Sequence, residues 1–331
     1  MLYKGYKLIL SSKEDLSKED FAAELNEKTF KLPADQVDAA LKEAGVGLGK
    51  EATFYWSVQP KDKSEALKEK AAIFTLVVKR KTTEPEEPKV VADMLDIEFT
   101  KEGAKDLSPM KHKVEAIVNE DPFKLDFNKE YNRYIAKFVP KTNGQHIPKG
   151  SYFKVDYVNN KDFENKLAAG HTFECLVQFD VDYNEGTHSY ETKFFSTHEQ
   201  GGTGFLVARP DRGNGITFLP NVTTANKSTW IWTTSKTKPD GKSWYHLVGV
   251  WDKEAGKSYL YIDGKLAAEA DAPGEYWPAN INNNARWICL GGDAGNGIAQ
   301  NAFQGSLGFA RIYSKALTAE DAAYLWSKVK K

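Results

Sequence analysis

The fold of most of this chain is decided by WYHLVGVWD at residues 244–252 and by SYLYIDGK at residues 258–265. In both segments the side chains alternate between two faces, a period of two that is typical of a β-strand. The loop Asp252–Gly256 returns the chain, so we predict that the two strands pair as a hairpin. Asp263-Gly264 then predicts a tight turn, because glycine accepts the positive φ that other residues resist.

Further short strand-like segments lie on both sides of this hairpin and are separated by Gly, Asn, Pro and Asp turns. Between Lys89 and Leu317 the 3.6-residue period of packed helices is absent. One convincing helix, Thr318–Lys328, closes the chain, with Thr318 at its cap and Asp321 three residues on. Many short strands with a single terminal helix predict an all-β fold, a two-sheet antiparallel β-sandwich.

A polar segment that carries two prolines, Thr82–Pro88, separates this region from the first part of the chain. Proline lacks the backbone donor that a sheet ladder needs, so the segment is predicted to be an extended linker. We therefore expect one domain at residues 1–81, a linker at residues 82–89 and the sandwich at residues 90–331.

The first domain contains strand-like segments and two predicted helices, one around Ser17–Leu25 and one over Ala34–Ala44 that ends at Gly45. Residues 32–62, LPADQVDAALKEAGVGLGKEATFYWSVQPKD, resemble the helix, Gly-rich turn and Trp-containing strand of a known family. That family is the immunoglobulin-like N-terminal domain of bacterial starch-utilisation outer-membrane lipoproteins. The resemblance implies a smaller immunoglobulin-like β domain whose first strands are missing.

The second domain carries a series of motifs in a fixed order. A Trp-led strand is followed by Tyr-Ile-Asp-Gly at 261–264, by Gly-Phe-Ala-Arg-Ile-Tyr at 308–313 and by Leu-Thr-Ala-Glu at 317–320. In combination these motifs resemble the laminin-G-like, concanavalin A-like lectin/glucanase superfamily, over residues 90–331. The resemblance implies a jelly-roll β-sandwich of the kind found on bacterial cell-surface proteins.

Composition excludes some partners. The chain has 45 Lys+Arg against 46 Asp+Glu, with no block of like charge, so nothing favours nucleic acid or an anionic membrane. No run of apolar residues is long enough to form a transmembrane segment. Cys175 and Cys289 lie in apolar strand-like segments, which favours two buried free thiols, with a disulfide as the alternative in an oxidising compartment.

Enzymes on this fold cleave glycans with paired carboxylates, usually in an E-x-D-x-E arrangement on one strand. That arrangement is absent from the sequence. Asp180, Asp182 and Glu185 alternate, but they end a strand and enter a turn, where solvated side chains or weak calcium ligands are the expected roles. His198-Glu199 and His246 have no nucleophile partner in a recognisable motif. We therefore predict that the protein is not an enzyme.

A sugar site needs an aromatic face for C–H stacking beside groups that hydrogen-bond to hydroxyls. Seven of the eight tryptophans lie beyond residue 229. Trp244, Trp251 and Trp287 are interpreted as core residues, whereas the other aromatics lie in polar, turn-rich segments and are either core or ligand platform. The predicted ligand-binding residues are Trp230, Trp232, Tyr276, Trp277, Asn282, Asp293 and Asn296.

Two smaller signals remain. Many relatives carry calcium, and Asp293 in the loop Gly291–Gly297 is the candidate ligand, although a flexible turn explains the loop equally well. The closing motif has Gly308 where relatives often place an aspartate. Asn221-Val222-Thr223 matches a glycosylation sequon, which we attribute to chance.

We hypothesise a non-catalytic carbohydrate-binding surface protein whose second domain contacts a polysaccharide or glycan through loop aromatics and amides. The alternative is a protein-interaction or spacer module that binds other surface proteins within a cell-surface assembly, and a glycoside hydrolase ranks third. The resemblance implies export as an outer-membrane or cell-surface lipoprotein, or a periplasmic location. The chain begins without a signal segment, as expected once such a segment is removed.

Overall fold

The structure is a computed structural model. It describes residues 6–25, 34–60, 71–80, 90–139, 150–157, 160–183, 191–197, 200–208, 211, 213, 215–224, 227–278, 287–295, 298–300 and 303–329. The chain divides into two compact units, Met1–Glu87 and Pro88–Lys331. The predicted linker falls within residues 81–89 and lies outside the described ranges, so its extended form stays a prediction.

The first unit contains one antiparallel sheet with strand order β2-β1-β3-β4. Its elements are β1 (Tyr6–Ser11), β2 (Phe21–Leu25), α1 (Ala34–Glu43), β3 (Glu51–Pro60) and β4 (Phe74–Lys79). Leu10, Leu41 and Phe54 form the buried centre of an apolar cluster between the helix and one face of the sheet. This small core is what holds the unit together.

Two predictions for this unit can be compared with its elements. The helix over Ala34–Ala44 is confirmed, and it ends just before Gly45, which has a φ of +78°. The helix around Ser17–Leu25 is wrong, because Phe21–Leu25 is a strand that pairs with β1. The described residues form a single sheet, so an immunoglobulin-like sandwich stays a prediction.

The described residues of the second unit form strands and two helices, in chain order β5 (Leu95–Thr100), β6 (Gly103–Asp106), β7 (Val114–Ile117), β8 (Lys124–Asn128), β9 (Arg133–Phe138), β10 (Tyr152–Asp156), α2 (Lys161–Ala168), β11 (His171–Phe179), β12 (Thr192–Ser196), β13 (Gly204–Val207), β14 (Ile216–Phe218), β15 (Asn221–Thr224), β16 (Lys227–Trp230), β17 (Thr233–Thr234), β18 (Trp244–Asp252), β19 (Lys257–Ile262), β20 (Lys265–Asp271), β21 (Glu275–Tyr276), β22 (Trp287–Leu290), β23 (Asp293–Gly295), β24 (Ile298–Gln300), β25 (Gly305–Tyr313) and α3 (Ala319–Val329).

Two antiparallel sheets of this unit face each other. The major sheet has nine strands, in the order β20-β19-β18-β11-β25-β5-β9-β8 with β6 beside β5. The opposing sheet has seven, in the order β17-β14-β13-β12-β22-β10-β7. Phe173 and Cys175 of the major sheet and Phe195 and Phe205 of the opposing sheet belong to one buried core. The predicted all-β, two-sheet antiparallel sandwich is confirmed.

The predicted hairpin of residues 244–265 is the β18–β19 pair, which lies next to β11 in the major sheet. Asp263 and Gly264 have φ values of +51° and +73°, so the tight turn is confirmed. Gly249 is required by packing, because a Cβ atom there would lie 2.2 Å from the Phe218 ring of the opposing sheet. The hairpin therefore contributes a close contact between the two sheets.

Helix α3 covers the outer face of the major sheet. Ala322 and Leu325 are buried against Val248 and Val250 of β18. Its N-terminus has the reciprocal bonds that the sequence predicts: the N–H of residue 318 donates to Oδ2 of residue 321 at 3.0 Å, and the N–H of residue 321 donates to Oγ1 of residue 318 at 3.2 Å. The capping box is confirmed.

The two cysteines are free, and both are buried. Cys175 lies in β11 of the major sheet and Cys289 in β22 of the opposing sheet. Burial raises the pKa of each thiol well above its ordinary value, so both are unreactive thiols rather than thiolates. The prediction of two buried free thiols is confirmed.

Candidate functional site

The candidate site is built on a small sheet of three strands, β16, β15 and β21, which we call the aromatic sheet. Asn221 in its central strand lies directly opposite Trp230. On the other side Val222 lies opposite Tyr276, and the backbone N–H of Trp277 donates to the Asn221 carbonyl oxygen at 3.0 Å. Directly opposed residues share a face of a sheet. Trp230, Asn221 and Trp277 therefore form a row across one face.

Two of the predicted aromatics have an apolar support. Trp230 and Trp232 both pack against a buried cluster of Leu206, Ala208 and Leu219. Leu206 lies in β13, and this cluster is separate from the core between the two sheets. Both indoles remain partly exposed. The i, i+2 spacing thus brings both rings to the same side, over the outer face of the opposing sheet.

Asn221 is the polar group at the centre of the row and is fully buried. Its Oδ1 accepts a hydrogen bond from Ser228 Oγ at 2.8 Å. Its Nδ2 has no hydrogen-bond partner within the described part of the chain. Buried donors are nearly always bonded in folded proteins, so this amide has unused hydrogen-bonding capacity. Its burial also closes the Asn221 sequon to modification in the folded chain.

Trp277 is held by the segment Gln200–Gly202. Its indole Nε1–H donates to the Gln200 carbonyl oxygen at 3.1 Å, and the Gly202 N–H donates to the Trp277 carbonyl oxygen at 2.8 Å. Gly201 lies so close that a Cβ atom there would be 2.7 Å from Trp277 Cδ1. The edge of the indole is therefore fixed by backbone groups, while the side chain stays partly exposed.

Tyr276 lies on the other face of the aromatic sheet. Its ring packs beside His171 and Trp251, with centroid distances of 5.5 and 6.1 Å, inside the buried core. Burial raises the pKa of Tyr276 to about 12. The structure thus places Tyr276 beneath the row, as a support for Val222 and its neighbours, and separates it from the Trp230–Trp277 face.

Asp293 lies in β23 and is buried, with 4% exposure. Its Oδ2 bonds to Lys193 Nζ at 2.7 Å and its Oδ1 accepts from Ser196 Oγ at 3.1 Å. A calcium ion needs carboxylate oxygens of its own, and both oxygens of Asp293 are engaged by donors. No cluster of three or more His, Cys, Asp or Glu that could hold a metal occurs within the described ranges. Calcium stays a prediction, and the predicted ligand residues Asn282 and Asn296 lie outside those ranges.

The three tryptophans interpreted as core differ from one another. Trp251 is fully buried in the core between the sheets, which confirms the interpretation. Trp287 is also buried, but with Tyr152 in a separate cluster. Trp244 is partly exposed, and its ring is tilted against that of Tyr131, with centroids 5.6 Å apart. For Trp244 the core interpretation is wrong.

Carboxylates converge at a place that the sequence analysis did not identify. Arg311 in β25 bonds to Asp96 Oδ1 at 2.7 Å and to Glu98 Oε1 at 2.8 Å, and lies 3.7 Å from Glu174 Oε2. Tyr313 donates its hydroxyl to Glu174. The sequence feature that could have revealed this cluster is the alternation of Asp96 and Glu98 in β5. Their common partner, Arg311, is more than two hundred residues away in the chain.

This acidic cluster is neutralised by arginine. Burial raises the pKa of Glu98 against the opposing effect of the Arg311 and Arg133 guanidinium groups. Burial also disfavours the charge on Glu174, but Arg311 and a bond at 2.8 Å to His246 Nε2 outweigh it and lower its pKa. Carboxylates fixed in this way stabilise the outer face of the major sheet.

Of the alternating carboxylates singled out in the sequence, Asp180 lies 3.5 Å from Lys137 Nζ, and Glu185 is outside the described ranges.

A groove of about 660 Å³ lies elsewhere, between the edge strands β17 and β20. Its walls are formed by hydroxyl, charged and small apolar side chains: Thr234, Lys236, Thr237, Ile262 and Lys265–Glu269. None of these lining residues is aromatic, so the groove has no platform for sugar stacking. The exposed Leu266 and the outer edge of β20, which pairs with no further strand among the described residues, instead suit an extended polypeptide.

Comparisons with known proteins identify the family and the fold of the second unit. A family model described as the concanavalin A-like lectin/glucanases superfamily matches residues 153–323. A comparison with curated proteins finds no match. Among the described residues, no helix is long and apolar enough to cross a membrane.

Solved structures with similar folds include botulinum neurotoxin type C, whose cell entry is dependent upon interaction with two ganglioside molecules. It aligns with a TM-score of 0.50 and 12% identity over 72% of this chain and 52% of that chain. The binding domain of botulinum neurotoxin DC in complex with rat synaptotagmin II aligns with a TM-score of 0.49 and 13% identity, over the same shares of 72% and 52%. This chain thus spans about half the length of these neurotoxin chains, and at this identity the likeness concerns the fold alone.

Proposed function

Because the chain belongs to the concanavalin A-like lectin/glucanases superfamily, we propose that its second unit is a non-catalytic carbohydrate-binding module. The proposed site is the row formed by Trp230, Asn221 and Trp277, with Trp232 beside it. The ligand class is a polysaccharide or oligosaccharide with hydroxyl groups free to hydrogen-bond. Calcium is not needed for this proposal.

The row itself is the observation that carries the proposal. Two partly exposed indoles flank one amide whose Nδ2 has no partner in the described structure. Indole faces bind the C–H groups of a sugar ring. The Asn221 amide is fully buried, so it donates to a sugar oxygen only when the ligand displaces the side chains that cover it. The indoles are supported by Leu206 and Gln200, so little side-chain entropy is lost when a ligand binds.

The state of the described carboxylates supports binding without cleavage. Glycoside hydrolysis needs one protonated acid and one free carboxylate on either side of the scissile bond. Asp96, Glu98 and Glu174 are held by Arg311, and Asp293 is held by Lys193. In their paired form these groups stabilise the fold, which supports binding rather than cleavage.

A glycan array tests the proposal directly. The wild-type chain, Trp230→Ala, Trp277→Ala and the control Trp244→Phe are applied to the same array of neutral and acidic oligosaccharides. We expect binding by the wild type and by the control, and a loss of about tenfold for each alanine variant, the loss expected from one stacking contact. An array without signal, or alanine variants equal to the wild type, would reject the site.

The groove between β17 and β20 favours a second candidate function, binding of a protein partner within a surface assembly. Its free strand edge would pair with an extended segment. The substitution Leu266→Asp distinguishes protein binding from glycan binding, because it changes the groove and leaves the aromatic sheet intact. A partner lost on this substitution and retained by Trp277→Ala would favour protein binding. Export to the cell surface remains part of either proposal and is tested by locating the protein in its native cell.

A further inference from the structure

A histidine lies buried in the core beneath the aromatic sheet. His171, the first residue of β11, is fully buried, with ring centroids 5.4 and 5.5 Å from Phe173 and Trp251. Its Nδ1 lies 2.8 Å from the Leu167 carbonyl oxygen. A carbonyl oxygen only accepts, so Nδ1 carries the hydrogen. Burial lowers the pKa of His171 to about 4, and in the neutral ring Nε2 is then an acceptor.

Thr203 satisfies that acceptor. Its Oγ1 lies 2.9 Å from His171 Nε2 and must donate, because Nε2 has no hydrogen. The backbone N–H of Thr203 donates to Thr197 Oγ1 at 2.9 Å, and the N–H of Thr197 donates to the Thr203 carbonyl oxygen at 2.8 Å. His171 therefore holds the side chain of Thr203, the last residue of the segment Gln200–Thr203, while Thr197 holds the backbone of Thr203.

The same segment reaches the proposed ligand site one residue earlier. The Gly202 carbonyl oxygen accepts the Asn221 N–H at 2.9 Å, and the Gly202 N–H donates to the Trp277 carbonyl oxygen at 2.8 Å. Gln200 accepts the indole N–H at 3.1 Å. These hydrogen bonds, together with the peptide link between Gly202 and Thr203, thus join the core histidine to two members of the row.

We infer that His171 and Thr203 are positioning residues of the ligand site, which set the orientation of Trp277 through Gly202 without touching the ligand. The coupling of His171 and Thr203 to Trp277 is inferred from the geometry alone. Its effect on ligand binding rests on the proposed function. The hydroxyl of Thr203, rather than its volume, transmits the effect. A residue that only fills the core would tolerate loss of that hydroxyl without any change at Trp277.

The test uses the ligand-free full chain, so its outcome does not depend on whether the array shows binding. Amide hydrogen exchange of Gly202 and Trp277 is measured in Thr203→Val, in Thr203→Ser and in the control Thr217→Val. Thr217 is also buried, and its hydroxyl bonds to the Gly215 carbonyl oxygen at 3.1 Å, away from the segment.

We expect exchange about tenfold faster at Gly202 and Trp277 in Thr203→Val, the loss of one net hydrogen bond. Thr203→Ser and Thr217→Val should exchange like the wild type at these amides, and the core amide of Val248 should be unchanged in all three. Equal rates in Thr203→Val and wild type, equal acceleration in Thr203→Ser, or acceleration in Thr217→Val would each overturn the inference.

A second measurement needs no variant and remains decisive if Thr203→Val does not fold. The imidazole ¹⁵N spectrum of wild-type His171 reports directly which ring nitrogen carries the hydrogen. We expect a protonated Nδ1 and an unprotonated Nε2 at neutral pH. The opposite tautomer, or a doubly protonated ring, would remove the acceptor for Thr203 and overturn the inference.

Discussion

Gly201 is the residue whose substitution should affect the site with the least change elsewhere. A Cβ atom at this position would lie 2.7 Å from Trp277 Cδ1 and 2.4 Å from the Pro278 carbonyl oxygen. Because one of these contacts is with backbone, Gly201→Ala must displace the segment that holds the indole. We expect glycan affinity to fall about tenfold, as for removal of the stacking ring. Titration calorimetry measures the loss, and unchanged affinity would contradict the role assigned to this close approach.

Asp106 is a single residue that should make the stability of the second unit depend on pH. Burial would raise its pKa, but hydrogen bonds from the His112 ring and from the backbone N–H groups of Asp96, Ser108 and His112 outweigh burial and hold the pKa at about 2, below the ordinary 3.8. A pKa lowered by folding contributes stability above pH 4, and this contribution is lost as the pH falls towards 2.

Asp106→Asn should therefore destabilise the second unit by about 2 kcal/mol at pH 7. The difference from the wild type should shrink between pH 4 and pH 2, where the wild-type carboxylate becomes protonated. Urea unfolding at several pH values measures both effects. A difference that is the same at pH 7 and at pH 2 would show that the charge of Asp106 is not its cause.

Individual residues are also where sequence reasoning reached its limit. The alternation of Trp230 and Trp232 was enough to predict that they share a side, because the period of a strand is local information. Asn221 was overlooked because its role depends on pairing with Trp230 and Trp277, and Trp277 is more than fifty residues away. Tyr276 looked equivalent to its neighbour Trp277, yet adjacent residues of a strand point to opposite faces, and Tyr276 is buried.

At the scale of elements, helix α3 offers a clean test of a capping box. The N–H groups of Thr318 and Asp321 at its start are each satisfied by the other residue's side chain, and its apolar face covers β18. Thr318→Ala removes the capping oxygen and should lower the stability of the second unit by about 1 kcal/mol. Thr318→Ser keeps that oxygen and should stay close to the wild type. Thermal unfolding of both variants provides the comparison, and equal losses would assign the effect to the methyl group instead.

Helices and strands were predicted correctly where the sequence pattern was local. They were predicted incorrectly where pairing with another strand determined the secondary structure. The β18–β19 hairpin and α3 have strong internal signals, the first in its turn and the second in its cap. The segment Phe21–Leu25 was predicted as part of a helix around Ser17–Leu25, yet it pairs along β1 in a sheet. Pairing with a neighbouring strand outweighs helix propensity in so short a segment.

At the scale of the whole molecule, the proposed site lies entirely in the second unit, Pro88–Lys331. A fragment of residues 88–331 should therefore bind the glycan identified on the array with the same affinity as the full chain, within about twofold. Side-by-side calorimetry of the two proteins is the measurement. A loss of tenfold or more in the fragment would mean that the first unit contributes to binding.

The architecture of this unit followed from the sequence to the level of fold class, because strand and turn patterns recur along it and its motifs occur in a characteristic order. The strand order of the two sheets did not follow. Neighbours such as β11 and β25 are far apart in the chain, and their pairing is decided by packing of the core. For the same reason the meeting of Arg311 with Asp96 and Glu98 became visible only in the folded structure.

The central claim is that a glycan binds the row of Trp230, Asn221 and Trp277, and fluorine NMR tests it most directly. The chain is labelled with 5-fluorotryptophan, each resonance is assigned by substitution, and the strongest glycan from the array is titrated in. We predict that the resonances of Trp230 and Trp277 shift in proportion to the bound fraction, while those of the buried Trp251 and the distant Trp244 stay in place. Shifts at Trp244 with none at Trp230 and Trp277 would contradict the account.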